Sequence, residues 1–239
     1  MSGHSKWAKI HRAKGAADAE RGKIFQKLAK EIYVAAKGTD GNIDMNPGLR
    51  AVVEKAKSQN MPKDNIAKAI DKATKSVGGE DYEEVRYEGY GHGGVALMID
   101  CLTDNRNRTA MLVRSTMTKK GGNLGTDGSV SYLFERKGII VINKDIDEDT
   151  AMMTSLENGA LDFIVNDENY EIYTTTDTLI KVKEGLEQSG VKEFLTSEIT
   201  YVAKNQIELD EEGTEKVLSL VEMLEDIDDV QNVYYNLSE

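Results

Sequence analysis

The sequence predicts an α+β protein: an N-terminal three-helix bundle followed by two ferredoxin-like α/β domains, the second inserted into the first. Two observations carry this. Up to about residue 76 the apolar residues recur only at helical spacing, whereas from Val85 onward short apolar strands alternate with amphipathic helices. In addition, residues 138–203 order their elements β-α-β-β-α-β, and the elements flanking that segment spell the same order when joined. The expected domains are therefore 1–78, 79–135 with 204–239, and 136–203.

Each element has a local reason. Ile24, Leu28, Ile32 and Ala35 or Ala36 place one apolar stripe on a helix over 17–37, stopped by Gly38. Asn46-Pro47 supplies a cap and a first-turn proline for a second helix bearing Leu49, Val52, Val53 and Ala56. Pro62 opens a third, with Ile66, Ala69, Ile70 and Ala73 on one face, and Gly78-Gly79 ends the segment. Strands at 85–90 and 95–102, joined by the glycine-rich turn 91–94, predict a hairpin. A helix over 106–120 turns Ala110, Val113 and Met117 inward, and a strand is expected at 129–134. The inserted unit reads as strand 139–143, helix 147–158, strands 161–166 and 170–175, helix 178–189 and strand 198–203. A strand at 206–209, a helix at 211–227 and a strand at 231–237 complete the chain.

Charge divides along the same boundary. The 239 residues carry a formal net charge of −12, yet residues 1–76 sum to +8 and the remainder to −20. Such asymmetry assigns separate electrostatic tasks to the parts, so the total does not exclude a polyanionic partner. Residues 1–17 hold Lys6, Lys9, Arg12 and Lys14 with no acid. On the first helix Lys23, Lys27 and Lys30 share a face, open either to a polyanion or simply to solvent beside Glu20 and Glu31.

Catalytic and metal chemistry find little support. The chain has one cysteine, Cys101, inside an apolar strand, and three histidines, His4, His11 and His92, with no GxSxG or HExxH pattern. A single cysteine excludes an internal disulfide and suits a reducing compartment. Asp145-Ile-Asp147-Glu-Asp149 begins like a calcium loop, but Thr150 and Leu156 stand where the turn glycine and bidentate glutamate belong. The glycine-rich run 121–128 lacks the Lys-Ser/Thr ending of a phosphate loop. No cofactor is expected. The longest apolar run, 95–99, is far short of the roughly 20 residues of a membrane span, and no secretory signal is read, so a cytoplasmic protein is expected.

One constellation resists a bland reading, and a second is a further candidate. Arg106 and Arg108 fall in the first turn of a helix, where cations oppose the helix dipole, so an anion is expected beside them. It is either a phosphate or a carboxylate of the chain, Asp104, Glu135 or another buried one. Trp7 stands among Lys6, Lys9, His11 and Arg12, placed either to stack on an unpaired base or to anchor the basic N-terminal arm, residues 1–17, on the fold.

At these residues the chain resembles the YebC family of probable transcriptional regulators. The resemblance rests on GHSKWAKI at 3–10, AADAERGKIF at 16–25, YEGYG at 87–91, TDNRNRT at 103–109 and GGNLGTDGSV at 121–130. Family members typically place a proline after YEGYG, where this chain has His92. The resemblance implies three domains, no catalytic activity and a cytoplasmic location. It further implies DNA binding and transcriptional control for some members, and a link to translation and the ribosome for others, a mitochondrial relative included. The residues expected to meet nucleic acid are His4, Lys6, Trp7, Lys9, His11, Arg12, Lys14, Arg21, Lys23 and Lys27, with DNA or, alternatively, ribosomal RNA as partner.

Overall fold

Asn46 ends one connection and begins a helix: its side chain accepts from Leu49 N–H at 3.0 Å while its amide donates to Ala35 O at 2.8 Å. That single residue fixes two of the three N-terminal helices, α1 (Asp18–Ala36) and α2 (Pro47–Ser58), to each other; α3 (Lys63–Lys75) completes the bundle. The computed structural model describes residues 18–75 and 81–238, with side chains from residue 21 onward. The bundle core is Leu28, Ile32, Tyr33 and Ala36 of α1 against Leu49, Val53 and Ala56 of α2 and Ile66, Ala69 and Ala73 of α3. The small residues on α2 and α3 allow close helix approach around the larger α1 side chains.

Two antiparallel sheets follow. The first contains β1 (Glu83–Tyr90), β2 (Ala96–Thr103), the short β3 (Asn123–Leu124) and β8 (Val230–Tyr235) in the order β3-β1-β2-β8. One face of it, Leu97, Ile99, Cys101 and Val233, packs on Val113 and Met117 of α4 (Arg106–Lys119) and Val217, Leu220 and Leu224 of α7 (Glu211–Glu225). The tight turn between β1 and β2 runs through Gly93 at φ 65°, where a Cβ would strike Leu209.

The second sheet contains β4 (Phe134–Asn143), β5 (Ala160–Val165), β6 (Asn169–Thr174) and β7 (Phe194–Ala203) in the order β5-β6-β4-β7. With α5 (Glu148–Glu157) and α6 (Leu179–Gln188) in the crossovers, this is the ferredoxin-like arrangement. Ile140, Ile142, Tyr170 and Ile172 face Ala151, Val182 and Leu186 of the helices. Two compact units result, Phe134–Lys204 and the described residues up to Leu133 together with Asn205–Leu237.

The α+β class and the insertion hold, and several elements differ from expectation. β3 forms within the glycine-rich run 121–128, where no strand was expected, and β7 starts four residues before the expected 198. Three further strands change. The strand expected at 129–134 is a short 3-10 turn, Ser131–Leu133, because the N–H groups of Val130 and Ser131 bond a buried carboxylate instead of a neighbouring strand. The strand expected at 139–143 starts five residues earlier, since the charged stretch Glu135-Arg136-Lys137 pairs fully with Thr200–Val202 of β7. The strand expected at 206–209 reduces to one bridge, Ile207 to Leu237. The first sheet accordingly has its own strand order, with the β1–β2 hairpin at its centre.

Candidate nucleic-acid interface

His4, Lys6, Trp7, Lys9, His11, Arg12 and Lys14 lie outside the described residues. The remaining expected contacts are on α1. Arg21 and Lys23 are exposed and Lys27 is half-buried. Lys23, Lys27 and Lys30 do share a face, and that face meets the acidic turn between α7 and β8. Lys23 Nζ pairs with Asp226 at 2.8 Å, Lys27 Nζ donates to the carbonyl of Glu225 at 2.6 Å, and Lys30 Nζ bonds Asp228 O and Asp229 Oδ1 at 3.0 Å each. Burial lowers the Lys27 pKa below the usual lysine range, even though Glu225, Asp226 and Asp228 pull it up. The lysine face predicted for a polyanion is thus already met by one the chain supplies itself.

Asp229 is the centre of that turn. Its carboxylate is buried, and Oδ2 accepts from Arg108 Nη2 at 2.6 Å and from Thr109 Oγ1 at 2.8 Å. Burial raises its pKa, but hydrogen bonds from Arg108, Lys30 and Thr109 outweigh this and hold it below the usual value. Arg108 also reaches Asp104 at 2.8 Å, so the anion it faces is carboxylate, supplied by the expected Asp104 and by the buried Asp229. Arg106 is exposed, and its carbonyl accepts from the Tyr87 hydroxyl at 3.3 Å.

Glu88 organises the glycine-rich run in the same way. It is buried on β1 and accepts N–H bonds from Gly128 (3.0 Å), Val130 (2.7 Å) and Ser131 (2.8 Å). Burial opposes its ionisation, yet the three backbone donors prevail and lower its pKa. Cys101 is buried, which pushes its thiol up to about 12 and leaves it protonated and unreactive at neutral pH. Among the described residues no cluster of His, Cys, Asp and Glu is arranged to hold a metal, and no helix is long and apolar enough to cross a membrane.

Sequence reasoning missed the cations of α3. Lys68, Lys72 and Lys75 recur at i, i+4 and i+7 and are exposed; the spacing was the available signal. Lys72 lies over the Tyr33 ring at 5.6 Å, and Lys30 over the Tyr82 ring at 5.7 Å. These four residues, with Lys23 and Lys27, border an open cavity of about 280 Å³ between α1 and α3.

A cation-rich helical bundle ahead of an α/β body whose buried carboxylates are structural defines a multidomain α+β protein with its basic surface at one end of the chain. Residues 5–76 match the family model described as the TACO1/YebC protein N-terminal domain, and residues 82–237 the one described as the TACO1/YebC second and third domain. The chain belongs to the TACO1/YebC family. A protein of Geobacillus thermodenitrificans named "Probable transcriptional regulatory protein" is 54% identical over 242 residues, covering 100% of this chain and 98% of its own. One of Geobacter sulfurreducens, likewise named a probable transcriptional regulatory protein, is 52% identical over 99% of this chain and 95% of its own. The crystal structure of a conserved hypothetical protein from Aquifex aeolicus is similar at a TM-score of 0.82 and 46% identity, covering 93% of this chain and 92% of that one.

Proposed function

We propose that this protein is a non-enzymatic, cytoplasmic, nucleic-acid-binding regulator of transcription, with residues 1–78 as its nucleic-acid-facing domain. The observation that carries the reading is the charge distribution: +8 within residues 1–76 against −20 in the rest. A basic module tethered to an acidic body approaches a phosphate backbone arm-first, and the body is repelled from it. In this reading His4, Lys6, Lys9, His11, Arg12 and Lys14 hold phosphates together with Arg21; Lys23 and Lys27 join them by exchanging the acidic turn for phosphate, and Trp7 stacks on a base. Names of relatives as probable transcriptional regulatory proteins support it.

A second reading, a ribosome-associated translation factor using the same basic face on ribosomal RNA, is favoured by one observation. The lysine-bordered cavity is small and concave, a shape suited to an unpaired residue more than to the outside of a duplex. Promoter-DNA gel shift and ribosome co-sedimentation of one purified sample separate the two. Sequence-selective retardation of DNA with no ribosome association supports the regulator. Co-sedimentation without DNA retardation replaces it with the translation factor.

A further inference from the structure

The cavity between α1 and α3 combines two kinds of wall. Lys23, Lys27, Lys30 and Lys72 line it together with Asp228. The ammonium groups of the first three are held by Asp226, by the Glu225 carbonyl, and by Asp228 O with Asp229 of the acidic turn, which a phosphate entering here must displace. Tyr82 and Ala29, both partly exposed, supply a carbon surface, and the almost fully buried Tyr33 and Ala69 complete the lining. Tyr33 and Tyr82 meet edge to face, with centroids 5.7 Å apart, so each ring holds the other in place. An apolar recess edged by cations fits a flat ring that carries a negative group close by.

We propose that this cavity receives one unpaired nucleotide of a single-stranded nucleic acid, its base against Tyr82 and its phosphate among the lysines. The proposal deepens the nucleic-acid reading above and rests on it. Size argues for a single residue, because about 280 Å³ lies just below the range of ligand clefts, roughly 300 to 1,000 Å³. Access argues for an unpaired one: a base inside a duplex must first be unstacked, whereas a single strand presents its bases at little cost. Electrostatics agree, since burial lowers the Lys27 pKa and an added phosphate would raise it again. Ring contacts of Lys30 and Lys72 with the two tyrosines already join the cationic edge to the aromatic wall.

The test uses the full chain and a labelled single strand of about 12 nucleotides, a duplex of the same sequence, and a free 5′-mononucleotide, read by fluorescence anisotropy and competition at fixed salt. The expected result is tighter binding of the single strand than of the duplex. Tyr82→Leu and Lys72→Gln each weaken single-strand binding by about fivefold and leave duplex binding unchanged. Lys72 is exposed, so its variant keeps the fold and the test stands even where Tyr82→Leu lowers stability. Wild-type binding of both polymers with both variants silent overturns the cavity assignment and leaves the nucleic-acid reading standing. Binding of neither polymer overturns both. A mononucleotide that binds as tightly as the oligomer overturns the assignment to a chain.

Discussion

Arg108 Nη2 lies 2.6 Å from Oδ2 of Asp229, a carboxylate only 3% exposed. Lys30 reaches the other oxygen at 3.0 Å, so one side chain joins α1, the start of α4 and the turn before β8. Replacing a buried, fully bonded carboxylate by an amide leaves its cationic partners without a counter-charge. Asp229→Asn should therefore lower stability by about 2–3 kcal/mol in denaturant unfolding, a value between a single hydrogen bond and a broken buried pair. In a double-mutant cycle, Arg108→Ala should cost clearly less in the Asp229→Asn background than in the wild type. Additive losses would show that the two residues do not act on each other.

Two buried carboxylates, Glu88 and Asp229, link the stability of the fold to acid pH. The pKa of Glu88 is held below its ordinary 4.5 and that of Asp229 below its ordinary 3.8. The unfolded chain then binds protons more readily, so these groups stabilise the fold fully above the ordinary values and less as pH falls through the folded ones. Unfolding free energy should decline below about pH 5. The Glu88→Gln, Asp229→Asn double variant should start lower and show a flatter profile over the same acid range. Parallel profiles would remove these two groups from the explanation.

Glu88 also holds a loop. A glutamine there keeps one acceptor oxygen and turns an NH2 group toward N–H donors of the 128–131 turn. Glu88→Gln should cost about 1–3 kcal/mol and speed amide exchange at Gly128, Val130 and Ser131 while exchange in α1 to α3 stays unchanged. Unaltered protection at those three amides would mean that the loop is held by other contacts.

The acidic turn should compete with nucleic acid. Asp226 and Asp228 are exposed beside Lys23, Lys27 and Lys30. Removing two negative charges within a Debye length of the lysine face favours a polyanion there. Asp226→Asn with Asp228→Asn should raise nucleic-acid affinity by roughly two- to fivefold at low salt, with the gain shrinking as salt is added. A lower affinity would show that the turn presents the lysines and does not compete for them.

What the sequence reveals follows the range of the interactions. The helix stripes of α1 and the Asn46-Pro47 start of α2 are local, and both are visible from spacing alone. The strand expected at 129–134 has the right alternation, Val130, Tyr132, Phe134, but its N–H groups go to Glu88, 42 positions away from Val130. The early start of β4 was hidden because Glu135, Arg136 and Lys137 read as a loop until β7 pairs with them. The shared face of Lys23, Lys27 and Lys30 was legible as periodicity; the turn covering it, 203 positions away between Lys23 and Asp226, was not. Arg108 signalled an anion through its place in a first helical turn, and only the folded chain identifies Asp229.

Binding of nucleic acid by the basic N-terminal part of the chain is checked by the salt dependence of affinity, for the wild type and for the variant Lys6→Ala, Lys9→Ala, Arg12→Ala, Lys14→Ala. Each phosphate that the variant leaves unneutralised should reduce the slope of log affinity against log salt by about 0.9 on duplex DNA, or about 0.7 on a single strand. Weaker binding, a slope flatter by about two to four units and an unchanged thermal midpoint are the expected outcome. Wild-type affinity and slope in that variant would contradict a nucleic-acid-binding role for the arm.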